Sequence, residues 1–249
     1  VDYTFTHDEH DVYVIDDFIT KSECKLLISA YESMKGKDHS VGTRKGGERD
    51  GKSCFYTNFV RKNSPYVPLI KRIRAKSLKL LRYLYDGVSH PVAQNEAILL
   101  QELSGKGMSY HCDALKRDQK EPYVSQDLMP ESKAYGYGIA PPSKGGKDYW
   151  QPHHGKWLKG HALHRAHTAL IYLSDDFEGG ETRFTYYDID VTPKQGRVVC
   201  FKGTHDHEHG VRPVSKGNRY TFVNWTTNSL GKSEDETGGL SPYTLDEWT

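Results

Sequence analysis

The chain has 249 residues, of which 36% are hydrophobic and 27% charged, with a formal net charge of +1. That length can enclose a full hydrophobic core in one large domain. The balanced charge offers no basic excess for nucleic acid. No apolar run approaches the roughly 18 residues of a membrane span. The opening Val1-Asp2-Tyr3-Thr4 shows no charged-then-apolar leader, so a soluble chain without a visible signal peptide is expected, its compartment unspecified.

Residues 12–18 read as a strand. Thr20-Lys21-Ser22-Glu23 then has the form of a capping box, in which a hydroxyl accepts from the third helical amide and a carboxylate reaches back. The helix it opens presents Leu26, Leu27, Ala30 and Tyr31 on one face. Residues 35–52, dense in Gly, Lys, Arg, Asp and Glu, read as a mobile loop. A second helix is predicted over 66–85, apolar at Val67, Ile70, Ile73, Leu78, Leu81 and Leu84 and basic on a solvated face. These segments form an N-terminal support over 12–90.

From residue 96 the pattern changes to strands. Residues 97–103 lead through a Gly105-Lys106-Gly107 turn to His111. Further strands are predicted over 168–173, 181–184, 198–201 and 219–225, with Gly179-Gly180 as a hairpin turn. The core is thus assigned to 96–113 and 165–227. Residues 114–164 interrupt it. A connection this long is functional or disordered, and its aromatic content (Tyr149, Trp150 and Trp157 among others) suggests a lid or substrate wall. Residues 229–249 read as a flexible tail. The fold class is therefore mainly β with flanking helices, two of them packed on one outer face of a barrel-like sandwich. Of the four cysteines, none forms a Cys-x-x-Cys pair, and Cys24 and Cys200 read as buried small hydrophobes.

His111 and Asp113 stand at i and i+2 of a strand, so both face one side while Cys112 points away. A second histidine from a distant strand would complete two imidazoles and a carboxylate, a set that leaves half of a coordination sphere open. His205, His207 and His209 compete for that place, and because they share strand parity, alternation cannot choose among them. His153, His154, His161, His164 and His167 form another dense group, for which no second metal site is expected.

The order of these motifs resembles the prolyl 4-hydroxylase-like branch of the Fe(II)/2-oxoglutarate dioxygenases. The resemblance rests on His111-Cys112-Asp113 with Gly105 before it, and on Arg165-x-x-Thr168-x-x-x-Tyr172-Leu173-Ser174-Asp175. It continues in Glu178-Gly179-Gly180-Glu181-Thr182-x-Phe184, Gly196-Arg197-Val198-Val199-Cys200-Phe201 and His209-x-Val211-x-Pro213-Val214-x-x-Gly217-x-Arg219. It implies a double-stranded β-helix (jelly-roll or cupin-like) and selects His209, leaving His205 and His207 as solvated loop residues. It further implies Fe(II) on His111, Asp113 and His209, 2-oxoglutarate anchored by Arg219 with Thr168 and Thr221 in its pocket, O2 as oxidant, and Trp225 near the iron.

One departure is that Gln101 and Glu102 stand where family members often carry a co-substrate-contacting tyrosine. The expected reaction is hydroxylation of an unactivated C–H bond, in a prolyl residue of a peptide or protein. The alternative is a free amino acid or natural-product precursor that is hydroxylated, desaturated or cyclised. A non-catalytic binding module is the remote reading, which the intact motif set disfavours.

Overall fold

A computed structural model describes residues 3–34, 42–43, 49–55, 59–60, 62–85, 90–91, 98–113, 123–125, 149–153, 156–160 and 166–227. Its strands are β1 (Phe5–Glu9), β2 (Val12–Ile15), β3 (Gly42–Thr43), β4 (Arg49–Phe55), β5 (His90–Pro91), β6 (Ile98–His111), β7 (Tyr123–Ser125) and β8 (Tyr149–His153). They continue as β9 (Lys156–Gly160), β10 (His167–Tyr172), β11 (Glu178–Gly179), β12 (Thr182–Phe184), β13 (Ile189–Val191), β14 (Val198–Lys202), β15 (His209–Val211) and β16 (Val214–Thr227). The helices include α1 (Lys21–Met34) and α2 (Val67–Leu84), with a 3₁₀ turn at His205–His207. No helix among the described residues is long and apolar enough to cross a membrane.

One antiparallel sheet runs β1-β2-β14-β10-β16-β6-β15-β12-β13, and β6 makes it curl. The first half of β6 pairs with β16, from Ile98↔Asn224 to Leu103↔Arg219. Its second half pairs with β15, at Met108↔Val211 and His111↔His209. Gly105-Lys106-Gly107 is therefore not a reversing turn. The strand continues through it, bent by two glycines at φ 61° and 75°. A Cβ at Gly107 would lie 2.3 Å from the Val211 carbonyl oxygen, so only glycine lets the two backbones approach at the crease. Gly179 and Gly180 do adopt positive φ. They lead from β11, which pairs with β16, into β12, and do not close a hairpin on β10.

Strand alternation sorts the core into two layers. Ala169, Ile171 and Leu173 of the β10 segment, Val198 and Cys200 of β14, and Phe222 of β16 face the helices. Leu170, Tyr172, Val199, Phe201, Val223 and Trp225 face inward, against Phe184 and Val191 from the opposite half of the curled sheet. The site is built in this inner layer.

The capping box forms as predicted: the Thr20 amide donates to Glu23 Oε2 at 2.8 Å and the Glu23 amide to Thr20 Oγ1 at 3.2 Å. Glu23 also accepts from Arg72 of α2 at 2.9 Å. Leu27, Ala30 and Tyr31 are buried as expected, whereas Leu26 lies outside the buried arc at 47% exposure. Arg74 departs from the expected solvated face of α2 and is fully buried. Residues 35–52, read as a loop, contain β3 and the start of β4, which joins β6 from Arg49↔Met108 to Phe55↔Leu99. All four cysteines are buried and none is in a disulfide, and burial pushes the Cys24 thiol up to about 12.

His167 at the start of β10 stacks on Tyr85 at 4.4 Å. Burial, with lesser effects of Lys202 and His207 against Asp11, pulls its imidazole from 6.5 down to about 3. A histidine buried neutral binds its proton more weakly folded than unfolded, so its contribution is present above pH 6.5 and is lost as pH falls toward 3. We expect the His167→Phe protein to lose about 2 kcal/mol less stability than the parent between pH 6.5 and 5. Urea unfolding at the two pH values measures this, and equal losses would refute it.

Candidate metal centre

His111 ends β6 and His209 begins β15, and the two are direct cross-strand partners. On its other side His209 pairs with Phe184 of β12. Asp113 follows two residues after the strand ends, on the face His111 occupies. His111 Nε2 lies 3.8 Å from Asp113 Oδ1 and His209 Nε2 lies 4.0 Å from it. One ligand atom from each of the three can be chosen so that all lie within 4.8 Å of one another, close enough to hold one metal ion. Asp113 and His209 are 5% and 3% exposed, while the His111 side chain retains 20%. The opening is thus on the His111 side. Phe201 packs edge-on against His209 at 4.6 Å.

Two hydrogen bonds orient these ligands. Thr168 Oγ1 donates to Asp113 Oδ2 at 2.5 Å, which leaves Oδ1 turned toward the imidazoles. Thr168, expected in the co-substrate pocket, places its hydroxyl on the Asp113 carboxylate. His209 Nδ1–H donates to the His207 carbonyl at 2.9 Å. That bond fixes the tautomer whose Nε2 carries the lone pair, as a metal-binding imidazole requires. His207 is not a solvated loop residue. It is 3% exposed, and burial lowers its imidazole to about 4, so it is neutral near pH 7. The His205 side chain lies outside the described residues.

Arg219 of β16 is completely buried in the same inner layer. Its Nε donates to the Gly180 carbonyl at 3.0 Å and its Nη2 to Thr182 Oγ1 at 3.1 Å. Its guanidinium sits 5.0 Å over the Tyr172 ring, and the Tyr172 hydroxyl reaches Thr182 Oγ1 at 2.6 Å. Burial holds the guanidinium below its usual range. Nη1 of Arg219 and Oγ1 of Thr221, both buried, have no partner among the described residues. A buried cation with an unused N–H is costly unless an anion joins it. A carboxylate-bearing ligand fits this cradle, since the guanidinium fork matches a carboxylate. The triad likewise fits Fe(II): two imidazoles and a carboxylate with an open side.

Trp225 is buried on the inner face with Val223, as parity required. Tyr172 and Thr182 stand in the motifs of the resemblance but were given no site role from sequence. For Tyr172 that role was legible, because it shares the inward parity of Thr168 on one strand; for Thr182 it awaited the β12 register. Tyr149 and Trp150 lie on β8 and Trp157 on β9, in a separate three-stranded sheet ordered β7-β9-β8. The span 114–164 is thus not strand-free. Their side chains and those of Gln101, Glu102 and His153 lie outside the described residues, as do His154, His161, His164 and the 229–249 tail.

Residues 141–227 match the model of the 2OG-Fe(II) oxygenase superfamily, which implies Fe(II), 2-oxoglutarate and O2. Human prolyl 3-hydroxylase 2 is 41% identical over 68 residues, 25% of this chain and 10% of that protein. Chicken (Gallus gallus) prolyl 3-hydroxylase 1 is 39% identical over 77 residues, 29% of this chain and 11% of that protein. The matched segment therefore spans about a tenth of these relatives' length. Among solved structures, the viral collagen prolyl hydroxylase of Paramecium Bursaria Chlorella virus-1 superposes with a TM-score of 0.55 at 18% identity, covering 89% of this chain and 98% of that one. A Pseudomonas putida prolyl-4-hydroxylase does so with a TM-score of 0.51 at 13% identity, covering 88% and 93%. These neighbours share the double-stranded β-helix.

Proposed function

We propose that this chain, a prolyl hydroxylase-like 2OG-Fe(II) oxygenase, hydroxylates a prolyl residue in a peptide or protein. The observation that carries the reading is the convergence of His111, Asp113 and His209 in the inner layer that also buries Arg219 with an unused N–H. In this reading the three residues hold Fe(II) on the side of the curled sheet that opens past His111. Arg219 Nη1 binds the distal carboxylate of 2-oxoglutarate, with Thr221 Oγ1 a second polar contact. Tyr172 and Thr182 hold the guanidinium in place. Leu170, Val223 and Trp225 keep the surroundings apolar and dry, which strengthens each charged contact. Fe(II), 2-oxoglutarate and O2 together supply oxidation of an unactivated C–H bond to an alcohol, with succinate and carbon dioxide released.

A succinate-release assay across proline-rich peptides and free amino acids tests the proposal, with mass spectrometry of the products. Prolyl peptides should stimulate succinate formation and gain one oxygen, and comparison with 3- and 4-hydroxyproline standards reads the position. Stimulation by a free amino acid and by no peptide would overturn the peptide reading.

Residues 114–164 follow Asp113 directly and serve substrate use in this reading. Replacing Tyr149, Trp150 and Trp157 with alanine is expected to lower hydroxylated product per succinate while 2-oxoglutarate decarboxylation persists, as when a covering element is lost. Quantifying both products in one reaction checks it. An unchanged ratio would assign the segment a structural or oligomer-forming role.

A further inference from the structure

We propose that His207 is a positioning residue for the metal ligand His209, and that the N-terminal hairpin turn at His10–Asp11 is its anchor; the inference rests on the metal-centre reading above. The connection is a continuous set of hydrogen bonds. His209 Nδ1–H donates to the His207 carbonyl at 2.9 Å. The His207 ring donates from Nε2 to the His10 carbonyl at 3.0 Å. A neutral ring protonated on Nε2 has an accepting Nδ1, and the Thr204 hydroxyl lies 2.9 Å from it. Every polar atom of the His207 ring is therefore used, and used in the sense its tautomer allows. A ring fixed at both nitrogens holds its own backbone, and its backbone carbonyl sets the plane of the His209 imidazole.

The anchor is itself restrained. Glu9 pairs with Val12 across a two-residue turn, and His10 and Asp11 both take φ 56°, the geometry of a primed hairpin turn. Non-glycine residues seldom hold that conformation without outside support. The support is present: Lys202 Nζ reaches Asp11 Oδ2 at 2.6 Å, and the Tyr85 hydroxyl donates to the Asp11 carbonyl at 2.8 Å. Tyr187 stacks on the His10 ring at 4.5 Å and meets His207 edge-on at 5.5 Å. Thr185 clamps the intervening Glu208 through its amide and its hydroxyl. A turn nearly two hundred residues earlier in the chain thus determines how a ligand on β15 faces the metal.

The test uses the whole chain with His207→Phe, His207→Gln and Thr204→Val. Phenylalanine keeps the packing and removes both ring hydrogen bonds; glutamine restores a donor toward the His10 carbonyl. Cobalt(II) titration reads affinity, and long-range proton–nitrogen NMR of the metal-free protein reads the His209 tautomer. Outer-shell partners of metal-bound histidines typically contribute ten- to hundredfold in affinity. We expect His207→Phe to weaken cobalt by roughly that factor and to lose the single Nδ1–H tautomer, with His207→Gln recovering most of both. If His207→Phe does not fold, Thr204→Val decides: weaker cobalt binding supports the proposal and unchanged binding overturns it. A folded His207→Phe protein with parental affinity and tautomer overturns it, as do equal losses in the Phe and Gln variants. A His209→Ala control that still binds cobalt at parental affinity would instead refute the metal-centre reading.

Discussion

Asp113→Ala and His209→Ala each abolish substrate-dependent succinate formation and iron retention while leaving the curled sheet folded. The two side chains are 5% and 3% exposed and face a common point with His111. Loss of an outer-shell partner already costs ten- to hundredfold in metal affinity, so loss of one of three ligands is expected to cost roughly a thousandfold or more. The stability penalty is smaller. In Asp113→Ala, Thr168 Oγ1 loses its acceptor, and an unsatisfied buried hydroxyl costs about 1–3 kcal/mol. Iron content, anaerobic cobalt titration and circular dichroism separate the two effects. Near-parental turnover in either variant would sink the triad. Activity lost in a folded His207→Ala protein but kept in His209→Ala would move the ligand role to His207.

Arg219→Met weakens 2-oxoglutarate and leaves metal affinity almost unchanged. The guanidinium is fully buried, uses Nε and Nη2 on Gly180 and Thr182, and has Nη1 without a partner among the described residues. A hydrogen bond to a charged group contributes about 1.5–3 kcal/mol, which converts to roughly ten- to hundredfold in the dissociation constant. The stability of the co-substrate-free protein should move the other way. Replacing a desolvated, uncompensated charge by an apolar chain of similar length is often neutral or stabilising, so the melting temperature should hold or rise. Anaerobic calorimetric titration with 2-oxoglutarate, alongside thermal unfolding, checks both signs. An unchanged dissociation constant would assign the distal carboxylate to another residue.

His111 and Asp113 were legible in the sequence because alternation is strictly local and puts residues two apart on one face, although β6 itself ends at His111. The same rule placed Arg219, Thr221 and Trp225 together, and local capping chemistry located the start of α1 at Thr20. Periodicity found α2 to within a residue at each end. These features depend on neighbours a few residues apart, and so they are written in the sequence itself. The choice of His209 over His207 was not of that kind, since the two share parity; it came from resemblance alone.

What only the tertiary structure decided involves partners distant along the chain. Leu26 and Arg74 exchanged their expected exposures because the buried arc of a helix is set by what packs against it. Residues 105–107 read as a turn, because glycines signal positive φ without saying whether the strand ends or bends. The hydroxyl of Thr168 was bound to be inward, but its acceptor lies 55 positions away on Asp113. His207 looked like a surface residue until β1 and β2 brought the His10 carbonyl to its Nε2. The sequence by itself determines which side chains share a strand face and where a capped helix begins. Which inward groups meet is determined by sheet register and curl, because register is fixed by packing the whole inner layer at once.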